Sequence, residues 1–227
     1  MRRLLYIPII HNEADLGSAG TALAEQSVAL SGARRWLVHQ ETVSKFWESV
    51  AAHLRSLYSY KLRVYQDGLA AGGEIGRRIA EESAKRGSRN YQLVLELLNR
   101  GAELRKTEDP VLLLREHENI HRSAQQGSVR QGQHDPEEYR LRRDCLMGTR
   151  DKFIAETIGA TLKEGELGVL FIGAYHNVAS RLPADISVEM VKDMRLVQAY
   201  LDELFLGHDD QRLEELGQYL TSPVSAD

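Results

Sequence analysis

The chain has 227 residues, 42% of them hydrophobic, with 29 Lys and Arg against 33 Asp and Glu and a formal net charge of −4. A balance this close to neutral supplies no basic field to draw nucleic acid or an anionic membrane, and no run of residues is long and apolar enough to cross a bilayer. The length suits a single α/β domain over residues 1–227, and the lone cysteine, Cys145, excludes an internal disulfide and fits a reducing, cytoplasmic compartment.

The opening MRRLLYIPII lacks a small-residue cleavage site and is interrupted by Pro8, His11 and Glu13, so it does not read as a secretion signal. Within it LLYIPII (4–10) is a short β-branched run that predicts a buried strand, stopping on His11 and Glu13. RRWLVHQE (34–41) predicts a second strand, ended by Glu41. TVSKFWESVAAHLRSLY then places Val43, Phe46, Trp47, Val50, Leu54, Leu57 and Tyr58 at helical spacing. YKLRVYQDG (60–68) is a third strand, ending in Asp67 and Gly68. GGEIGRRIAEESAKRG and NYQLVLELLNRG follow as helices, closed by Gly87 and Gly101.

AELRKTEDP (102–110) predicts a fourth strand ending in Glu108 and Asp109, with Pro110 opening the next helix. RSAQQGSVRQGQHDP (122–136) is poor in hydrophobic residues and reads as a polar, lid-like excursion. Asp135, Pro136 and two glutamates start a helix that runs to about Leu162. LGVLFIGAYHN (167–177) is the clearest strand and ends in Gly173 and His176. DISVEMVKD is a last strand, before the helix MRLVQAYLDELF and a further short helix in the acidic tail.

Strands alternating with helices predict a three-layer α/β fold, a largely parallel or mixed central sheet with helices on both faces. Such sheets bind ligands beyond the C-terminal ends of their strands. Here those ends carry His11 and Glu13, Glu41, Asp67, Glu108 and Asp109, and His176. Turns favour aspartate on their own account but not histidine, so the two imidazoles carry the functional reading. The set suits a divalent metal (Zn, Mn or Co) on His11, His176, Asp67 and Asp109, and it suits equally a general base with a charge stabiliser and no metal.

IPIIHNEADLG (7–17), WLVHQE (36–41) and TRDKFIAETIGATLKEGELGVLFIGAYHNV (149–178) resemble the TraB/TIKI/ChaN/erythromycin-esterase group. That group pairs an early Gly-x-x-His-like motif with a late one. The late motif stands intact as Gly173-Ala174-Tyr175-His176, whereas Pro8 replaces the early glycine. The resemblance implies a metal-dependent peptidase, a histidine-based lactone hydrolase or a haem binder, with His11, Glu41, Arg150 and His176 in the site.

The leading expectation is a hydrolase of a small-molecule or peptide substrate. Glu13 or Glu41 acts as base on a metal-bound water, and Arg150 stabilises the oxyanion or clamps the substrate. Two alternatives stand beside it. One is a haem or other cofactor site with Tyr175, Tyr65 or His176 as axial ligand. The other is a zincin-like pair in HENIH (117–121), where i and i+4 spacing places His117 and His121 on one helix face with Glu118 as base. The apolar stretch MRLVQAYLDELFLG suits a homodimer.

Overall fold

The computed structural model describes residues 1–10, 28, 32–57, 61–127 and 136–224; for 120–127 and 136–140 it describes the backbone alone. Side-chain alternation along the strands decides the architecture. In β1 (Arg2–Ile9), Leu5, Ile7 and Ile9 pack on one side and Leu4 and Tyr6 on the other, all buried. With β2 (Lys61–Gln66), β3 (Glu103–Leu104), β4 (Glu166–Gly173) and β5 (Ile186–Met190) it forms a sheet in the order β3-β2-β4-β1-β5. Every pairing is parallel. A parallel sheet covered on both faces requires apolar residues at consecutive positions, which LLYIPI and VLFI supply.

Seven α-helices and a short 3-10 turn (Ala179–Arg181) complete the described fold: α1 (Ala33–Ser56), α2 (Gly73–Lys85), α3 (Arg89–Asn99), α4 (Pro110–Gly127), α5 (Pro136–Thr161), α6 (Met194–Phe205) and α7 (Asp210–Thr221). One sheet face meets Phe46 and Trp47 of α1, Val94 of α3, Val197 and Tyr200 of α6 and Leu213 of α7. The other meets Ile154, Ala155, Ile158 and Leu162, on and just beyond α5. Each fully buried Val, Leu, Ile or Phe contributes about 2 kcal/mol, so these two clusters hold the layers together. The outcome is the expected three-layer α/β fold with helices on both faces. Among the described residues no helix is long and apolar enough to cross a membrane.

Pro8 sits inside a central strand without breaking it. β5 pairs with β1 only as far as Tyr6↔Met190, and the Val191 amide donates to the Tyr6 carbonyl. Backbone groups two residues apart point to the same side, so the amide that Pro8 lacks would face the side where β5 has ended. At the opposite end of the sheet, fully buried Arg63 forms a bidentate pair with Glu166 at 2.6 and 2.7 Å and also bonds Glu103. Arg63 holds the Glu166 carboxyl down at about 2.

Three expectations are corrected. RRWLVHQE is the start of α1, not a strand: Trp36, His39, Val43 and Phe46 are buried at helical spacing, whereas Leu37 and Val38 are exposed. The strand expected over 102–110 shrinks to Glu103–Leu104. Of the excursion expected over 122–136, residues up to Gly127 continue α4, residue 136 opens α5, and 128–135 lie outside the described residues.

Candidate functional site

The site assembles where β2, β3 and β4 end. Gly68, with φ 77°, turns the chain immediately after Asp67, a backbone conformation that only glycine adopts cheaply. Asp67 Oδ2 accepts the Gly173 amide at 3.1 Å, tying the ends of β2 and β4 together. Beyond β3, the amides of Thr107 and Glu108 both donate to the Leu69 carbonyl, at 2.9 and 3.0 Å. Gly72 permits that approach, since a Cβ there would lie 2.8 Å from the Lys106 nitrogen. Glu108 is thereby delivered to the same edge, 0% exposed.

Arg150 reaches in from α5. Its Nη2 donates to Asp67 Oδ1 at 2.7 Å and to Glu108 Oε1 at 2.5 Å, and its Nη1 donates to Glu116 Oε1 of α4 at 2.6 Å. The next residue, Asp151, is turned by about 100° around the helix and addresses a different partner. Its Oδ1 lies 2.5 Å from His176 Nδ1, and its Oδ2 accepts the Asn177 amide at 2.9 Å. The His176 ring is therefore fixed, with Nε2 turned toward Asp67 Oδ2 at 3.5 Å. A Cβ on Gly173 would fall 3.1 Å from Asp67 Oδ2 and 3.3 Å from His176 Cδ2, so glycine leaves room for the pair.

Burial and charge act in opposite directions here. Burial, with Asp67 adding to it, pushes the Glu108 carboxyl up to about 7 against the pull of Arg150. Burial would also raise Asp67, but His176, Arg150 and the Gly173 amide outweigh it and hold that carboxyl below its usual range. Burial would lower His176, but Asp151 and Asp67 outweigh it, and the imidazole is raised above its ordinary value. Near neutral pH the edge thus presents an ionised Asp67 and a partly protonated Glu108 beside an imidazole whose charged form is favoured. A cleft of about 500 Å³ opens over it, bounded by Asp67, Arg150 and His176, by Leu113 and Met147, and by Ser83 and Arg86.

Of the residues anticipated from sequence, the fold brings Asp67, Arg150 and His176 together. His11 and Glu13 lie outside the described residues. Glu41 is corrected: it stands on the exposed face of α1, 2.7 Å from Lys45 Nζ, because its strand is a helix. Asp109 is corrected as well, since its Oδ1 accepts the Val111 amide at 2.7 Å and caps α4. Arg150 is buried among three carboxylates, so its charge positions them rather than waiting for an oxyanion. Tyr175 borders the cleft but is 54% exposed and donates to Asp202 at 3.0 Å; the Tyr65 hydroxyl pairs with Thr161, the last residue of α5. His117 and Glu118 are exposed on α4, and the His121 side chain lies outside the described residues.

Glu116 and Asp151 are the members that sequence reasoning missed, and Glu108 displaces its neighbour Asp109. The adjacency of Arg150 and Asp151 was the one available signal for Asp151. Among the described residues no three His, Cys, Asp or Glu side chains form a set that could hold a metal. The best pair, Asp67 Oδ2 and His176 Nε2, falls short of the three protein ligands of a catalytic zinc, and Asp67 already serves Arg150 and Gly173. Neither tyrosine offers an unengaged phenol to a haem. The described residues thus fall short of a metal site, and they fit proton transfer at His176. Comparison with known proteins gives no match: no family model, no curated protein and no solved structure.

Proposed function

We propose that the protein is a hydrolase of a small-molecule or peptide acyl compound, activating water at His176. The observation that carries the reading is the 2.5 Å contact between Asp151 Oδ1 and His176 Nδ1, with Nε2 left facing the cleft. A carboxylate on Nδ1 selects the tautomer whose lone pair is on Nε2 and stabilises the imidazolium that forms when Nε2 takes a proton. A water on the cleft side donates one proton to Nε2, and Asp67 Oδ2, 3.5 Å from Nε2, stabilises the imidazolium that forms. His176 and Arg150 together hold Asp67 ionised for that task. His176 then returns its proton to the leaving group.

Positioned general-base catalysis contributes roughly 10²–10⁴-fold. A panel of chromogenic esters, amides and lactones tests the reading. On any substrate that the wild type turns over, His176→Gln and Asp151→Asn lower kcat by about 100-fold or more, and wild-type kcat rises with pH as the imidazole loses its proton. A His176→Gln protein as fast as the wild type overturns it, and so does a panel without turnover.

A further inference from the structure

The cleft contains two guanidinium groups in opposite situations. Arg150 is spent: its side chain is 4% exposed, and Asp67, Glu108 and Glu116 surround it. Arg86, just past the end of α2, is exposed on the cleft wall and has no carboxylate partner among the described residues. It is not loose, because its Nη2 donates to Ser83 Oγ at 3.1 Å. Ser83 is only 9% exposed and also faces the cleft. Its oxygen is the acceptor in that bond, so its own proton is available to an incoming anion.

Charge elsewhere in the cleft orients any ligand. The wall around His176 carries Asp67 and Glu116, which repel an anionic group, and Asp151 is buried against the imidazole. The wall at Arg86 and Ser83 attracts one. The lining also includes Leu113, Met147, Tyr91 and Leu201, which give the cleft an apolar component. One unpaired cation balances one negative charge. A doubly charged phosphate would bring an excess into a cleft already rich in carboxylates.

We propose that Arg86 and Ser83 form a carboxylate-recognition subsite, so that the substrate is an acyl compound with an apolar body and a free carboxylate remote from the bond at His176. The substrate assignment rests on the hydrolase reading above, whereas the subsite itself does not. Guanidinium and carboxylate pair through two parallel N–H bonds, and the hydroxyl adds a third donor. A charge-assisted bond of this kind changes affinity by about tenfold.

Binding is measured calorimetrically with two probes that need no turnover, 4-phenylbutyrate and its neutral amide. The wild type binds the acid about tenfold more tightly than the amide. Arg86→Gln loses that preference without weakening the amide, Arg86→Lys keeps part of it, and Ser83→Ala reduces it. The surface position of Arg86 leaves the fold intact in its two variants, and Ser83→Ala removes a single oxygen. Equal or absent binding of the two probes by the wild type overturns the subsite, as does an Arg86→Gln protein that still prefers the acid. Arg86-dependent binding with no hydrolysis of any acyl panel supports the subsite and sinks the hydrolase. Hydrolysis indifferent to Arg86, with no preference between probes, does the reverse.

Discussion

Replacing Glu108 with glutamine changes the pH dependence of stability in a way that can be worked out in advance. Glu108 is fully buried between Arg150 and Asp67, and burial pushes its carboxyl from 4.5 up to about 7. An acid whose folded-state pKa is raised contributes its full stabilisation below its unfolded value and loses it as pH climbs through its folded value. The window therefore runs from 4.5 to about 7. At about 1.4 kcal/mol for each tenfold change in proton affinity, the loss across it is about 3 kcal/mol. Glutamine keeps the shape and a carbonyl oxygen for Arg150 but cannot titrate. The wild type should therefore lose about 3 kcal/mol relative to Glu108→Gln between about pH 4.5 and pH 8. Urea unfolding at a series of pH values, followed by the fluorescence of buried Trp36 and Trp47, measures the difference. A difference constant to within about 1 kcal/mol across that range would refute the placement of a strained, dry carboxyl beside Arg150.

Three further outcomes are expected. Asp151→Asn removes the carboxylate that, with Asp67, overrides burial at His176, so the titration midpoint of that imidazole by NMR moves down; an unmoved midpoint contradicts the pairing. The raised imidazole stabilises the fold below its ordinary 6.5 and loses that contribution as pH rises through the folded value, so the variant is less stable than wild type chiefly on the acid side. Gly173→Ala pushes a methyl against Asp67 and His176, destabilising by about 1–2 kcal/mol and slowing any turnover; wild-type stability and rate in that variant would show the space is not needed. Arg63→Met removes the bidentate partner of buried Glu166 and costs about 3 kcal/mol by denaturation, while the His176 midpoint stays put because the pair lies at the other end of the sheet; a shifted midpoint would show that the two ends are coupled.

The central strands were legible because a parallel sheet covered on both faces needs unbroken apolar runs, and LLYIPII and VLFI have few other uses. RRWLVHQE misled for the converse reason. Trp36, Leu37 and Val38 look like a strand run, but α1 buries Trp36 and leaves the other two in solvent. Periodicity over the whole stretch to Leu54 would have extended the helix backward. At the site, Asp67 and His176 were legible because each follows a clear strand. Choosing Glu108 over Asp109 was not, since the two neighbours differ only in which one the loop turns inward and which one caps α4. Glu116 lies beside the HENIH motif and counted only as a polar flank, yet it is the residue there that reaches the site, across helices that sequence alone does not bring together.

The most direct test of the central claim is the tautomer of His176, read from its imidazole ¹⁵N shifts above its titration midpoint. The Asp151 contact predicts the proton on Nδ1 and a lone pair on Nε2 toward the cleft, with that preference lost in Asp151→Asn. A neutral ring protonated on Nε2 in the wild type would leave no base facing the substrate and would contradict the proposed chemistry.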